Sequence, residues 1–159
     1  MPKSAIDRLN ASKQPHVVSP IPPGFPGAAT ASSMVVSSPR EVDALIRRIP
    51  PGRLATLDEL RAHLARRHGA EIACPVSTAI FVNVAAQAAE EFVAMGEEAI
   101  TPYWRVLRPG GRLNAKYPGG VKAQRVRLEA EGHTVVQRRR DLVVEGYEAA
   151  LCTMEEVER

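Results

Sequence analysis

The chain has 159 residues, 45% of them hydrophobic and only 4% aromatic, which provides for one modest core and excludes two ordinary domains. A net charge of +3 permits a polyanionic partner without requiring one, because the 21 lysines and arginines are spread along the chain rather than gathered in one block. Cys74 and Cys152 have neither metal-ligand spacing nor the density of a disulfide scaffold, and no apolar run could span a bilayer or serve as a signal peptide, so a reduced, cytoplasmic, soluble protein without metal or cofactor is expected.

Residues 1–38 are rich in Pro, Ser, Ala and Gly, centred on Ser19-Pro20-Ile21-Pro22-Pro23-Gly24-Phe25-Pro26-Gly27. Such a stretch offers little apolar surface against its ordering entropy and reads as a flexible or loosely docked tail, with Lys3, Arg8 and Lys13 solvated. Ser38 suits an N-cap with Pro39 at the first helical position. Val42, Leu45, Ile46 and Ile49 follow at helical spacing until Pro50-Pro51-Gly52 ends the helix. Thr56 precedes a second helix, with Glu59 three positions on as in a capping box, and this helix runs to Arg67 or His68 before Gly69. A third helix is predicted after Cys74-Pro75, capped by Ser77 or Thr78, with Ile80, Phe81, Val84 and Ala85 inward and an acidic far end at Glu90-Glu91.

Beyond Thr101 the pattern turns to loop and short strand: Thr101-Pro102-Tyr103-Trp104-Arg105, then Val106-Leu107, a turn at Pro109-Gly110-Gly111, and Arg112-Leu113. Residues 121–131 form an amphipathic helix with Val121, Val126 and Leu128 inward. Residues 136–159 are a C-terminal extension packed on the rest. Within it, Arg138-Arg139-Arg140 reads first as a solvated turn between two short strands, with phosphate contact as the alternative, and a short helix lies around residues 147–154.

Five segments carry a family pattern in their order and spacing. They are Ile49-Pro50-Pro51-Gly52-Arg53 with Ala55-Thr56, Pro102-Tyr103-Trp104-Arg105-Val106, Gly110-Gly111-Arg112-Leu113, Tyr117-Pro118-Gly119-Gly120, and Leu128-Glu129-Ala130-Glu131-Gly132. Through them residues 39–135 resemble the DNA-binding domain of the alkylguanine-DNA alkyltransferases. The resemblance implies a mainly α fold with a short β wing, winged-helix-like in architecture.

In that family the loop reads Pro-Cys-His-Arg-Val, and the cysteine accepts an alkyl group as an activated thiolate. Here Tyr103 stands at the cysteine position and Trp104 at the histidine position. A phenol is protonated at neutral pH and an indole N–H only donates, so neither can serve, and no enzymatic alkyl transfer is expected. Of the family's catalytic network only Glu131 has a counterpart. The alkyltransferase-like proteins also lack the cysteine and hand alkylated bases to other repair pathways, which makes them the nearest precedent.

The resemblance therefore implies a non-catalytic, monomeric sensor of alkylated guanine in double-stranded DNA, with a repair-pathway protein as a further partner. Tyr103, Trp104 and Tyr117 would line a base pocket, with Tyr103 exposed and Trp104 equally readable as core. Arg53, Thr56, Ser77, Thr78, Arg105 and Lys122 would approach the DNA backbone, although Arg105 reads first as a brace bonding loop carbonyls. Lys116 beside Gly119-Gly120 offers an anion site at a helix start. Three DNA-handling positions depart from the family: Ala79 for an intercalating arginine, Leu57 for a phosphate-binding tyrosine, and Ala88 for an asparagine. A second reading stays open, a winged-helix scaffold with a partner-binding or small-molecule role in which Cys74, at a helix N-terminus, is a reactive thiol.

Overall fold

A computed structural model describes residues 4–11 and 13–158. Its N-terminal segment differs from the expected flexible or loosely docked tail, being tied to the rest at three places. Helix α1 (Ala5–Asn10) starts at Ser4, whose hydroxyl accepts the Asp7 N–H, and buries Ala5 and Leu9 against Ala88. Strand β1 (His16–Val18) pairs antiparallel with β2 (Met34–Val36), which is buried at Met34 and Val35. Ser32 donates from its amide and hydroxyl to the Glu71 carboxylate at 2.9 and 2.8 Å. Averaged composition hid two short apolar runs, Ala5 with Leu9 and Met34-Val35-Val36, whose burial depends on distant chain.

Helix α2 (Pro39–Ile46) begins as its signals require, with the Ser38 hydroxyl accepting the Glu41 N–H and Pro39 in the first turn. Strand β3 (Ala55–Thr56) leads into α3 (Leu57–His68). Thr56 caps α3 by accepting the Glu59 N–H, but only half of a capping box forms, because Glu59 turns its carboxylate to Arg66 and the Met154 N–H. Gly69, at φ 67°, closes α3 in the left-handed region. Strand β4 (Ile72–Ala73) lies parallel to β2, giving a sheet in the order β1-β2-β4.

Helix α4 (Pro75–Ala94) is capped by Cys74 rather than by Ser77 or Thr78, which fall within its first turn. Its inward stripe is Thr78, Val82, Ala85 and Ala89. Ile80, expected inward, is 53% exposed beside Val76 at 52%, because two residues past Thr78 lies nearly half a turn away on a 3.6-residue helix. The same geometry places Val126 outward at 67% exposure on α5 (Gly120–Ala130), whose inner face carries Val121, Gln124 and Leu128.

Strand β5 (Val106–Leu107) pairs parallel with β3, joining the loop after α4 to the start of α3. Strands β6 (Val135–Arg138) and β7 (Asp141–Val144) form an antiparallel hairpin turning at Arg139-Arg140. The C-terminal extension carries a single 3-10 turn over Tyr147–Ala150 and helix α6 (Met154–Glu158). Three small sheets among the helices make this a mixed α/β fold instead of a mainly α one with a single wing. The main core joins α2, α3, α4 and α5 with the two-residue sheet and the hairpin base. Among the described residues no helix is long and apolar enough to cross a membrane.

The Glu91 carboxylate of α4 accepts the first two N–H groups of α1, from Ala5 at 2.9 Å and Ile6 at 3.0 Å. Removing it with Glu91→Ala should cost roughly 1 kcal/mol of docking. Hydrogen exchange should accelerate over residues 5–10 and stay unchanged in α3.

Candidate functional site

The segment after Thr101 is a loop because Pro102 interrupts regular structure and Tyr103–Arg105 makes one 3-10 turn before β5. Its start is fixed by the buried Thr101 hydroxyl, which donates to Asp43 of α2 at 2.6 Å. Its end is fixed by β5 on β3. Between them the three consecutive side chains Tyr103, Trp104 and Arg105 all turn inward, at 2%, 8% and 9% exposure.

Arg105 is the brace that the sequence suggested first. Its Nη1 donates to the Ile49 carbonyl at 2.6 Å, while Nε and Nη2 grip both oxygens of Glu131 at 2.6 to 3.1 Å. The same carboxylate accepts the Trp104 indole N–H at 3.1 Å and the Gly52 amide at 3.3 Å. Burial by itself would raise the Glu131 pKa, yet the donors from Arg105, Trp104 and Gly52 outweigh it and hold the carboxyl below its ordinary value. Arg105 is thus engaged inside the protein and does not face outward as a DNA-backbone contact.

The expected base pocket is not an open one. The Tyr103 ring meets Trp104 edge-on at 5.4 Å and Tyr117 at 5.1 Å, so the three rings form a packed cluster. Tyr103, expected to be exposed, is buried and donates its hydroxyl to Glu90 at 2.6 Å. Tyr117 is equally buried and donates to the Val106 carbonyl at 2.9 Å. Burial raises both phenol pKa values, and for Tyr103 the Glu90 carboxylate raises it further. In a chain with one Trp, three Tyr and three Phe, these rings are needed to fill the core.

Trp104 alone reaches the surface. It edges an open cleft of about 570 Å³ lined by Arg47, Ile100, Pro102 and Arg127 together with the carboxylates of Glu97 and Glu98. The Arg127 guanidinium sits 4.4 Å from the indole centroid and also donates to Glu90 at 2.9 Å. Gln124 holds the loop from beneath, donating to the Trp104 carbonyl at 3.1 Å and accepting the Asn114 N–H at 2.8 Å. Sequence reasoning missed Glu90, Gln124 and Arg127. Gln124 was detectable as a polar residue on the inward stripe of α5, whereas the Glu90 to Arg127 pair spans 37 positions and has no local signature.

The remaining expected DNA-backbone residues divide. Arg53 is turned to the C-terminal extension, donating to the Ala150 and Leu151 carbonyls at 3.0 and 2.7 Å. Thr56 is engaged as the α3 cap, and the buried Thr78 donates to the Cys74 carbonyl at 2.7 Å. Ser77 is partly buried, its hydroxyl without a protein partner among the described residues. Lys122 is exposed, and it has no protein partner among the described residues. Cys74 is 3% exposed and packed with Ile21 and Met34, which removes the access that a reactive thiol needs. Among the described residues no group of His, Cys, Asp and Glu is arranged to hold a metal ion.

No family model matches the chain, and no curated protein matches it. Among solved structures it is similar to S. pombe Atl1 in complex with damaged DNA containing O6-carboxymethylguanine. The two share 20% identity over 72% of this chain and 94% of that one, with a TM-score of 0.47.

Replacing Glu131 by Ala leaves Arg105 buried without its counter-charge and should cost about 3 kcal/mol in urea unfolding. A carboxyl whose folded pKa lies below its unfolded value stabilises above the unfolded value and stops doing so as the pH falls through the folded one. Wild-type stability should therefore drop as the pH is lowered below the ordinary Glu131 value of 4.5, and Glu131→Gln should lack that part of the decline.

Proposed function

We propose that this chain is a non-catalytic DNA-binding protein of alkyltransferase-like type that senses alkylated guanine. One observation carries the non-catalytic half: the loop is braced by Arg105, Glu131 and Gln124, while the residue at the acceptor position is a buried phenol bonded to Glu90. Its raised pKa keeps it protonated, and the adjacent indole cannot take a proton. No activated nucleophile stands in the loop.

The DNA-binding half rests on how charge is divided. The two acids at the far end of α4 are engaged internally, Glu90 by Tyr103 and Arg127 and Glu91 by α1, so they place little free negative charge on that helix. The side chains of Arg108, Lys116, Lys122, Arg138, Arg139 and Arg140 have no protein partner among the described residues. We read α3, α4 and the β6–β7 hairpin as a winged-helix unit, with Val76, Ala79 and Ile80 on the outer face of α4 and the Trp104 cleft as the place for an unstacked base.

Fluorescence anisotropy with two duplexes differing by one alkylated guanine tests this reading. The lesion duplex should bind more tightly, and intact mass should show no covalent adduct. Trp104→Ala should reduce the lesion preference about tenfold, in line with ~1–3 kcal/mol for one stacked base. That variant also loses the Glu131 bond, so the comparison is made where circular dichroism shows it folded. Binding to neither duplex would sink the reading and leave exposed Val76 and Ile80 as a protein-docking face.

A further inference from the structure

We propose that the tip of the β6–β7 hairpin, Arg138, Arg139 and Arg140, is the arm that grips the phosphate backbone of the DNA, with Arg108 nearer the base of the hairpin. The inference rests on the DNA-binding reading above and names where its phosphate contacts come from. The arginines first expected in that role are engaged elsewhere, Arg105 with Glu131 and Arg53 with the C-terminal carbonyls. Helix α4 has no lysine or arginine at all. Phosphate contacts, which supply most of the affinity of DNA-binding proteins, therefore have to be made by another element.

The tip carries charge that the fold does not use. All three arginines are exposed and none of their side chains has a protein partner among the described residues. Asp141, the acid across the pair from Arg138, lies 3.9 Å from Arg112, which also donates to the Pro109 carbonyl at 2.8 Å. Three like charges in adjacent positions repel one another, and an anionic partner relieves that repulsion.

The backbone adds an independent observation. Arg139 has φ 58° and is the only non-glycine residue with positive φ among the described residues. At the first position of a two-residue hairpin turn, glycine meets that geometry without steric penalty and an L side chain does not. An arginine occupies the position that glycine would suit better, so the turn itself gives no reason for its side chain.

The arm is also rigid at its base. Val135 and Val144 lie in the core, and the Leu142 carbonyl accepts the Leu113 N–H at 2.9 Å. Arg112 bridges antiparallel to Val143 on one side and to Arg108 on the other, which puts Arg108 two strand spacings from β7, roughly 10 Å. No apolar side chain stands at the tip to enter a bilayer, so a polyphosphate chain fits it better than a lipid surface.

The test measures affinity of the full chain for unmodified and lesion duplexes across a salt series. Changing all three arginines, as Arg138→Ser with Arg139→Gly and Arg140→Ser, should flatten the plot of log affinity against log salt by about 0.9 per arginine. Both duplexes should weaken alike, with the lesion preference retained. Arg139→Gly alone should leave Tm unchanged or raised while removing about one phosphate contact from the slope, a combination that a damaged fold would not produce. Arg140→Lys should keep the slope. Tight DNA binding by wild type with an unchanged slope in the triple variant would overturn the arm and leave the DNA-binding reading standing. No DNA binding by wild type, or binding only to anionic phosphatidylserine vesicles, would overturn both.

Discussion

The Glu131 carboxylate closes three separate stretches of chain onto one another. It sits at the end of α5, takes a two-point grip from Arg105 in the loop, accepts the indole N–H of the adjacent Trp104, and accepts the amide of Gly52 in the turn after α2. A partly buried carboxylate with several charge-assisted donors is shifted toward its charged form in spite of desolvation. Helix α5, the loop and the start of the β3–β5 sheet thus have a shared anchor. Because Arg105 also bonds the Ile49 carbonyl, the end of α2 is joined to them as well.

Around that anchor Tyr103 and Trp104 set what the loop is made of. The two residues bring large rings into the loop, and the Tyr103 ring packs edge-on against both Trp104 and Tyr117. In an aromatic-poor chain this cluster supplies bulk that the aliphatic residues of α2 and α4 do not. The loop is consequently part of the core on one side and a cleft wall on the other, where the Trp104 edge meets Arg127. Stability and recognition draw on the same few residues, so variants in the loop have to be read with folding measured alongside.

Charge is partitioned in a comparable way. On the α2, α3 and α6 side the cations are paired: Arg47 with Asp43, Arg66 with Glu155, Arg67 with Glu158, and His63 between Glu155 and Glu158. These contacts hold the C-terminal helix against α3. The stretch from Arg108 to Arg140 contributes most of its cations without side-chain partners, so this part of the sequence carries much of the chain's unpaired positive charge.

Much of the local architecture was legible in the sequence, because caps and turns act over a few residues. Ser38 with Pro39, Thr56, Gly69 and the Arg139-Arg140 turn all lie where short-range chemistry puts them. That position 103 is a tyrosine followed by a tryptophan and an arginine was equally legible. Directions and partners were not. Whether Tyr103 faced solvent, whether Arg53 was free, and whether the first 38 residues were a tail depended on Glu90, the Ala150 carbonyl and Ala88 with Glu71, each dozens of positions away. The sequence by itself determined which side chains the loop carries and where the elements begin. Only the tertiary structure decided which cations remain free for a partner, since a charge is used or left over according to what the fold brings beside it.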